Sequence, residues 1–331
     1  MKTGVLLVNL GTPHSFRPKD VKKYLTEFLT DRRVIDLPFL KRQLLVRGVI
    51  VPKRVKASAK LYASIWTKQG SPLLYYGQQL AEKLQEKLGE EYLVQLAMRY
   101  QTPSIEEGLR ALKTCRKLII FPLFPQYASA TTGSVHEKVM SLLSKWEVIP
   151  EVHFLSNYAA HPAFIAAHLL RAKEYDLSRY DHILFSYHGL PEKQLKKSDP
   201  TGTCLINKEC CKKNPHCYAA QCLQTTQKIA EGLNLPREKW TLSYQSRLGK
   251  SPWIRPYSDE VLKTLAKEGK KRVLVFSPAF VADCLETLEE IASGYRSLFL
   301  SHGGETLDLA EGLNDHPAWI DAIQKIIYQK K

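Results

Sequence analysis

The chain has 331 residues, room for two domains of about 150 residues each. Its 44% apolar and 24% charged content is that of a soluble globular protein, and no apolar run approaches the ~18 residues that a membrane-spanning helix needs. Lys and Arg number 48 against 33 Asp and Glu, a net charge of +15 that favours an acidic membrane surface or a carboxylate-bearing ligand. Basic stripes interleaved with aromatics are missing, so no nucleic-acid partner is expected.

The first apolar run, Val5–Val8 plus Leu10, is too short for a secretory signal and lacks a small-residue cleavage site, which points to a cytoplasmic protein. Gly4–Leu10 predicts a strand and Pro18–Leu29 an amphipathic helix. Strand and helix then alternate: Tyr92–Met98 with Ser104–Lys113, Leu118–Phe121 with Thr131–Trp146, and Val148–Phe154 with a helix from Pro162. The second half repeats the scheme through Ile183–Tyr187, Cys217–Gly232, Lys239–Tyr244, Asp259–Lys267, Arg272–Ser277 and Cys284–Tyr295. Such alternation implies α/β architecture with parallel sheets covered on both faces. The phrases HPAFIAAHLL at 161 and DHPAWIDAIQ at 315 echo one another, each with Pro at a first helical position. A boundary near residue 155 gives domains 1–155 and 156–331.

Leu37–Lys56, LPFLKRQLLVRGVIVPKRVK, departs from the pattern, mixing bulky apolar residues with six Lys or Arg and Pro52. It reads either as a buried helix with a basic outer face or as an apolar, basic lip that rests on an anionic membrane or admits an apolar ligand. Five of the seven cysteines (Cys204, Cys210, Cys211, Cys217 and Cys222) fall in one short segment. In a cytosolic chain that clustering points to a metal centre before disulfides.

Ligands of parallel α/β sheets bind outside the carboxyl ends of the strands, and the unusual residues stand there. Strand one ends in Asn9-Leu10-Gly11-Thr12, strand two in Arg99-Tyr100, and strand three runs into FPLFPQYASATTGS with Gln126 and Tyr127. The fifth ends in Tyr187-His188-Gly189, and the last runs into SPAFVADCLETLEE. These five segments are expected to converge on one edge. Glu286 and Glu290 are four apart and share a helix face, and with Asp283 they make a line of carboxylates. A histidine and carboxylates offer the mixed nitrogen and oxygen ligation suited to transient Fe²⁺ or Zn²⁺. From position alone, His188 is either a hydrogen-bonded structural residue or a catalyst. No Gly-x-Gly-x-x-Gly follows the first strand, so a dinucleotide site is not expected.

Assembled, GVLLVNLGTP, YASIWTKQGSPL, AMRY, FPQYASATTGS, FSYHGLPEK, YQSRLGKSPWIRP and SPAFVADCLETLEE resemble the ferrochelatases in order along nearly the whole chain. These enzymes insert Fe²⁺ into a porphyrin to complete haem. The resemblance implies two flavodoxin-like, chelatase-type lobes, each a parallel sheet flanked by helices, with a porphyrin cleft between them. It implies a lyase acting on protoporphyrin IX, with a coproporphyrin or other-metal chelatase, or a non-catalytic haem or iron carrier, as the alternatives. His188 would bind metal and take a pyrrole proton, Glu286 would be the second ligand or proton partner, and Glu290 would stand behind it. Leu10 and Tyr127 would lie along the macrocycle, Trp253 would wall the pocket, and Ser71 and Arg99 would line the cleft.

Insertion removes two N–H protons from a flat ring, so it calls for a base, a metal carrier and a shape that bends the ring. The insert CLINKECCKKNPHCYAAQC resembles that of bacterial ferrochelatases holding a [2Fe–2S] cluster, which implies ligation by Cys204, Cys211, Cys217 and Cys222, with Cys210 interchangeable with Cys211. Zinc, with His216, is the competing occupant, and an insert without metal the plain alternative. Two positions depart from the family pattern. Ser129 stands in the segment where animal members place a cluster cysteine, and Cys284 stands where many relatives have His.

Overall fold

The computed structural model describes residues 2–205, 214, 216–247, 249 and 251–329. The chain divides into two units. The first comprises Met1–Phe124, Ala128–Ser156 and Ile327–Lys331, and the second comprises Pro125–Tyr127 and Asn157–Ile326.

The first unit is built on β1 (Thr3–Gly11), β2 (Tyr92–Tyr100), β3 (Lys117–Pro122) and β4 (Glu151–Phe154), all parallel, in the order β2-β1-β3-β4. The residues Val5, Leu6, Leu7 and Val8 are all buried. An unbroken apolar run is what a central parallel strand needs when helices cover both faces. On one face Leu6, Val8, Leu118 and Ile120 pack with Ile105, Leu109, Val135 and Val139, each buried aliphatic contributing roughly 1.5–3 kcal/mol of transfer free energy. The strand expected over Val148–Phe154 is shorter, because Val148 and Ile149 are exposed and only Glu151–Phe154 pairs with β3. The helix expected over Thr131–Trp146 is a π turn, Ser129–Gly133, followed by an α-helix, Ser134–Leu143.

Residues 39–65 settle the reading of the basic apolar segment. They form one continuous helical run: α over Phe39–Leu45, π over Val46–Ile50, and α over Val51–Ile65. The π turn lies just ahead of Pro52, whose ring and missing N–H cannot serve an ordinary helical turn. The first part is inside out. Arg42 is buried, its Nε donating to the Thr30 carbonyl at 2.8 Å and its Nη1 to Leu37 O at 2.5 Å. Phe39, Leu40 and Leu44 are instead 64%, 73% and 74% exposed. The expectation of a buried helix with a basic outer face fails for Phe39–Leu45 and holds beyond it, where Val46 and Val51 are buried and Arg47, Lys53, Arg54 and Lys56 are exposed.

The second unit repeats the plan with β5 (His182–His188), β6 (Trp240–Gln245), β7 (Arg272–Phe276) and β8 (Thr306–Leu309), parallel and ordered β6-β5-β7-β8. Leu184, Val273, Val275, Leu262, Ile291 and Phe299 form one of its cores. The helices Pro72–Leu88 and Glu192–Lys197 and the strand β8 were not expected. The helix Pro72–Leu88 buries Leu73, Gly77, Leu80, Leu84 and Leu88 at helical spacing, and β8 is a four-residue strand whose Asp308 accepts a hydrogen bond from Tyr180. No helix among the described residues is long and apolar enough to cross a membrane.

The strand ends expected on one edge belong to two sheets. Those of β1, β2 and β3 lie in the first, and those of β5 and β7 in the second.

Candidate active site

In the first unit, Leu10 follows Asn9, whose Oδ1 accepts the Leu10 N–H at 2.8 Å. Gly11 then turns the chain with φ of 119°, and a Cβ there would sit 2.1 Å from the Tyr100 carbonyl oxygen, so only glycine fits. Thr12 donates to the buried Ser71 at 2.8 Å, tying this strand end to the residue that opens the helix Pro72–Leu88.

Arg99 is engaged within the same unit. Its Nη2 meets Asp31 Oδ2 at 2.7 Å and its Nε donates to Ser134 Oγ at 2.7 Å. The Asp31 oxygen also accepts from Tyr100 at 2.9 Å and from Ser134 at 2.5 Å. Burial opposes ionisation of Asp31, but the donors Ser134 and Arg33 N–H and the Arg99 charge outweigh it, holding the carboxyl below its ordinary value.

In the second unit, β5 delivers His188 beside Gln245 of β6, its partner in register. His188 Nδ1 lies 2.6 Å from the Gly189 carbonyl oxygen. A carbonyl can only accept, so Nδ1 carries a proton, and in the neutral imidazole the lone pair is the one on Nε2. The imidazole stands 6.2 Å from the Trp253 ring and 6.4 Å from that of Phe280. Gly189 is needed for close approach: a Cβ would lie 2.9 Å from Gln245 O and 3.2 Å from Trp253. Beyond it the chain pairs back, Pro191 bridging to Trp253 and Ile254 N–H donating to Leu190 O at 3.0 Å.

The acidic helix is a π-helix over Glu286–Tyr295, where an α-helix was expected. At about 4.4 residues per π turn, positions four apart still share a face, so Glu286 and Glu290 remain on one side. Glu290 is held from several directions: Ser246 N–H donates to Oε1 at 2.9 Å, the Tyr295 hydroxyl to Oε1 at 3.0 Å, and Ser246 Oγ to Oε2. Burial, and then the Glu290 charge, raise the Tyr295 hydroxyl above its ordinary value and raise Glu289 likewise. Gln245 Nε2 donates to the Glu286 carbonyl oxygen at 3.1 Å. One glutamine thus joins the end of β6 beside His188 to the first turn of the acidic helix. A cavity of about 210 Å³ opens beside Glu290, with Asp259 and Arg247 in its wall.

Asp283 does not join the line of carboxylates. It accepts from Thr287, Gly312 N–H and Asn314 at 2.9, 3.1 and 2.8 Å, and so braces the 312–314 loop. Burial, and then the neighbouring Glu286 carboxylate, push the Cys284 thiol up.

Tyr127 belongs to the second unit. Its N–H donates to Gln221 Oε1 at 2.7 Å, and its ring stands 6.5 Å from that of His216. Cys204, Cys217 and Cys222 are buried; Cys210 and Cys211 lie outside the described residues. No group of three His, Cys, Asp or Glu donors suited to a metal occurs among the described residues. Sequence reasoning missed Gln245, Ser246, Phe280, Tyr218, Gln221 and Asp31. The YQS triplet at a strand end was the available signal for the first two.

The chain matches the family model described as Ferrochelatase over residues 2–331. It is 47% identical over 334 residues to the ferrochelatase of Legionella pneumophila (strain Lens), with 100% of each chain covered. It is 44% identical over 333 residues to that of Coxiella burnetii (strain Dugway 5J108-111), covering 98% of this chain and 93% of the relative. Among solved structures it resembles SirB from Bacillus subtilis with Fe3+, with a TM-score of 0.54 at 14% identity, covering 99% and 95% of the two chains. It also resembles CbiX, the terminal enzyme for sirohaem biosynthesis in denitrifying bacteria, with a TM-score of 0.50 at 12% identity and 98% of each chain covered. At these identities the structural likeness speaks to fold alone: a chelatase-type α/β arrangement.

Proposed function

This chain belongs to the ferrochelatase family, and from that membership we propose that it is a lyase inserting Fe²⁺ into protoporphyrin IX. The products are protohaem and two protons. The observation that carries the chemistry is the state of His188. The Gly189 carbonyl holds a proton on Nδ1, so in the neutral ring Nε2 is the nitrogen free to accept one, and the imidazole stands within 6.2 and 6.4 Å of two aromatic rings.

Insertion exchanges two pyrrole N–H bonds for bonds to iron. His188 Nε2 accepts a pyrrole proton, the role of a neutral imidazole near pH 7. Glu286 serves as second ligand to the incoming Fe²⁺ or as proton partner. Glu290, fixed by Ser246 and Tyr295, stands ready behind it to receive what Glu286 passes on. Trp253 and Phe280 give the imidazole apolar flanks suited to a flat macrocycle. Anaerobic Fe²⁺ insertion, followed as loss of porphyrin fluorescence with protoporphyrin IX and coproporphyrin in parallel, tests the reading. Turnover of protoporphyrin IX is expected; faster turnover of coproporphyrin would reassign the substrate, and tight binding without turnover would make the protein a carrier.

The cysteine insert is read as a [2Fe–2S] site ligated by Cys204, Cys211, Cys217 and Cys222. Thiolates are the donors such clusters take, and the three described cysteines of the set are buried. The described residues alone do not assemble three donors, so no step of insertion is routed through the cluster. Iron and acid-labile sulfide should be found in equal amounts in the isolated protein and be lost in Cys217→Ser. Zinc without sulfide would replace the cluster with a zinc site.

The inside-out helix supports peripheral contact with an anionic membrane. Phe39, Leu40 and Leu44 offer an apolar face, and Lys41, Arg47, Lys53 and Arg54 supply charge nearby. Leu40→Gln/Leu44→Gln should release the protein from anionic vesicles in a sedimentation assay while iron insertion in detergent continues. Undiminished vesicle binding would sink this assignment.

A further inference from the structure

The helix Tyr218–Gly232 carries polar side chains at 218, 221 and 225, three and four residues apart and so on one face. All three are buried. Burying polar groups is costly unless each finds a partner, and here each has a partner in a segment of the candidate site. The Tyr218 hydroxyl donates to the His188 carbonyl oxygen at 2.9 Å. Gln221 Oε1 accepts the Tyr127 N–H at 2.7 Å, and Thr225 Oγ1 accepts from Gln126 Nε2 at 3.0 Å.

The first contact acts on the imidazole through one peptide unit. The His188–Gly189 peptide has its carbonyl held by Tyr218 and its N–H held by Gln245 O at 2.8 Å. The next carbonyl, that of Gly189, receives His188 Nδ1. The space beside Gly189 admits no Cβ, so the backbone lies close against Gln245 and Trp253. Holding this peptide at both ends holds the backbone from which the imidazole hangs, and the Gly189 carbonyl then engages Nδ1. The second contact fixes the main chain that carries the Tyr127 ring. Attachment points three residues apart on a helix are separated by about 4.5 Å along its axis, so one rigid element sets the spacing of both.

We propose that Tyr218 and Gln221 are positioning residues, Tyr218 aiming the His188 imidazole and Gln221 setting Tyr127 against the porphyrin. The inference rests on the ferrochelatase reading for its kinetic arm. Its spectroscopic arm stands apart.

Tyr218→Phe removes one oxygen and keeps the ring. It should lower kcat about tenfold, the effect of one lost hydrogen bond felt in the transition state, with porphyrin affinity unchanged. Gln221→Met should do the reverse, weakening porphyrin binding about tenfold by fluorescence titration with kcat nearly kept. Gln221→Glu, which retains the acceptor oxygen, should restore binding. In ¹⁵N spectra of histidine-labelled protein, Tyr218→Phe should shift the His188 ring resonances, whereas Gln221→Met should not. Wild-type kinetics and an unmoved His188 signal in Tyr218→Phe would overturn the proposal, as would equal losses of kcat and binding in both variants accompanied by lower melting temperatures. If the wild type inserts no iron, the function reading fails while the His188 resonance still decides the aim of the imidazole.

Discussion

In the anaerobic insertion assay, His188→Ala is expected to lose turnover by about 10²–10⁴-fold, the range associated with removal of a general base. The fold should survive, because the bonds that brace this strand end fall on the main-chain atoms of His188 and Gly189. Tyr218 donates to the His188 carbonyl oxygen, and Gly189 N–H donates to Gln245 O; neither needs the imidazole. Trp253 and Phe280 would each lose a neighbouring ring. The unfolding midpoint should therefore stay near that of the wild type, and the variant should still quench porphyrin fluorescence on binding. Such a variant separates binding from chemistry. Near-normal turnover in a well-folded His188→Ala would remove His188 from the reaction and return it to the structural role open to any strand-end histidine.

The strands were legible because a parallel sheet covered on both faces must be written as an unbroken apolar run, as in Val5–Val8 and Ile183–Phe185. β8 was not, because a four-residue strand carries too few positions for its pattern to stand out. The carboxylates of Glu286 and Glu290 were legible as a pair, since four-residue spacing keeps a common face in α and π geometry alike. The π-helix itself left no mark in the periodicity. Asp283 was misread for a different reason. Proximity in sequence to Glu286 said nothing about its side chain, which is consumed by donors from residues 287, 312 and 314. Gln245 and Tyr218 escaped notice because a polar residue in a strand or helix has no sequence signature for the remote carbonyl it will meet. For Leu37–Lys56, composition announced something unusual, but only the burial of Arg42 and the exposure of Leu40 and Leu44 gave it a direction.

Asp31→Ala is the substitution expected to cost most in stability. It would leave the Arg99 guanidinium, 16% exposed in its side chain, beside a space once filled by a carboxylate that is 6% exposed. Breaking one partner of a buried pair costs about 3–5 kcal/mol, because the remaining charge stays desolvated. The Tyr100 and Ser134 hydroxyls lose the same acceptor. Denaturant unfolding followed by far-UV circular dichroism would measure the loss. Removing both charges in Asp31→Ala/Arg99→Ala should cost less than the two single changes summed, as residues in one network do. The pH dependence has a fixed sign. Because the folded carboxyl titrates below its ordinary 3.8, its contribution is full above the unfolded value. It is lost as pH falls from about 3.8 through the lowered folded value, and that slope should be absent from Asp31→Ala. An Arg99 that serves chiefly to grip a porphyrin propionate would behave otherwise. Arg99→Ala would then weaken porphyrin binding with little change in unfolding, and Asp31→Ala would leave stability near wild type. The network of 2.5–2.9 Å contacts around Asp31 argues for the first outcome, in which Arg99 holds β2 and the helix from Ser134 in place and the basic surface is left to meet the ring's carboxylates.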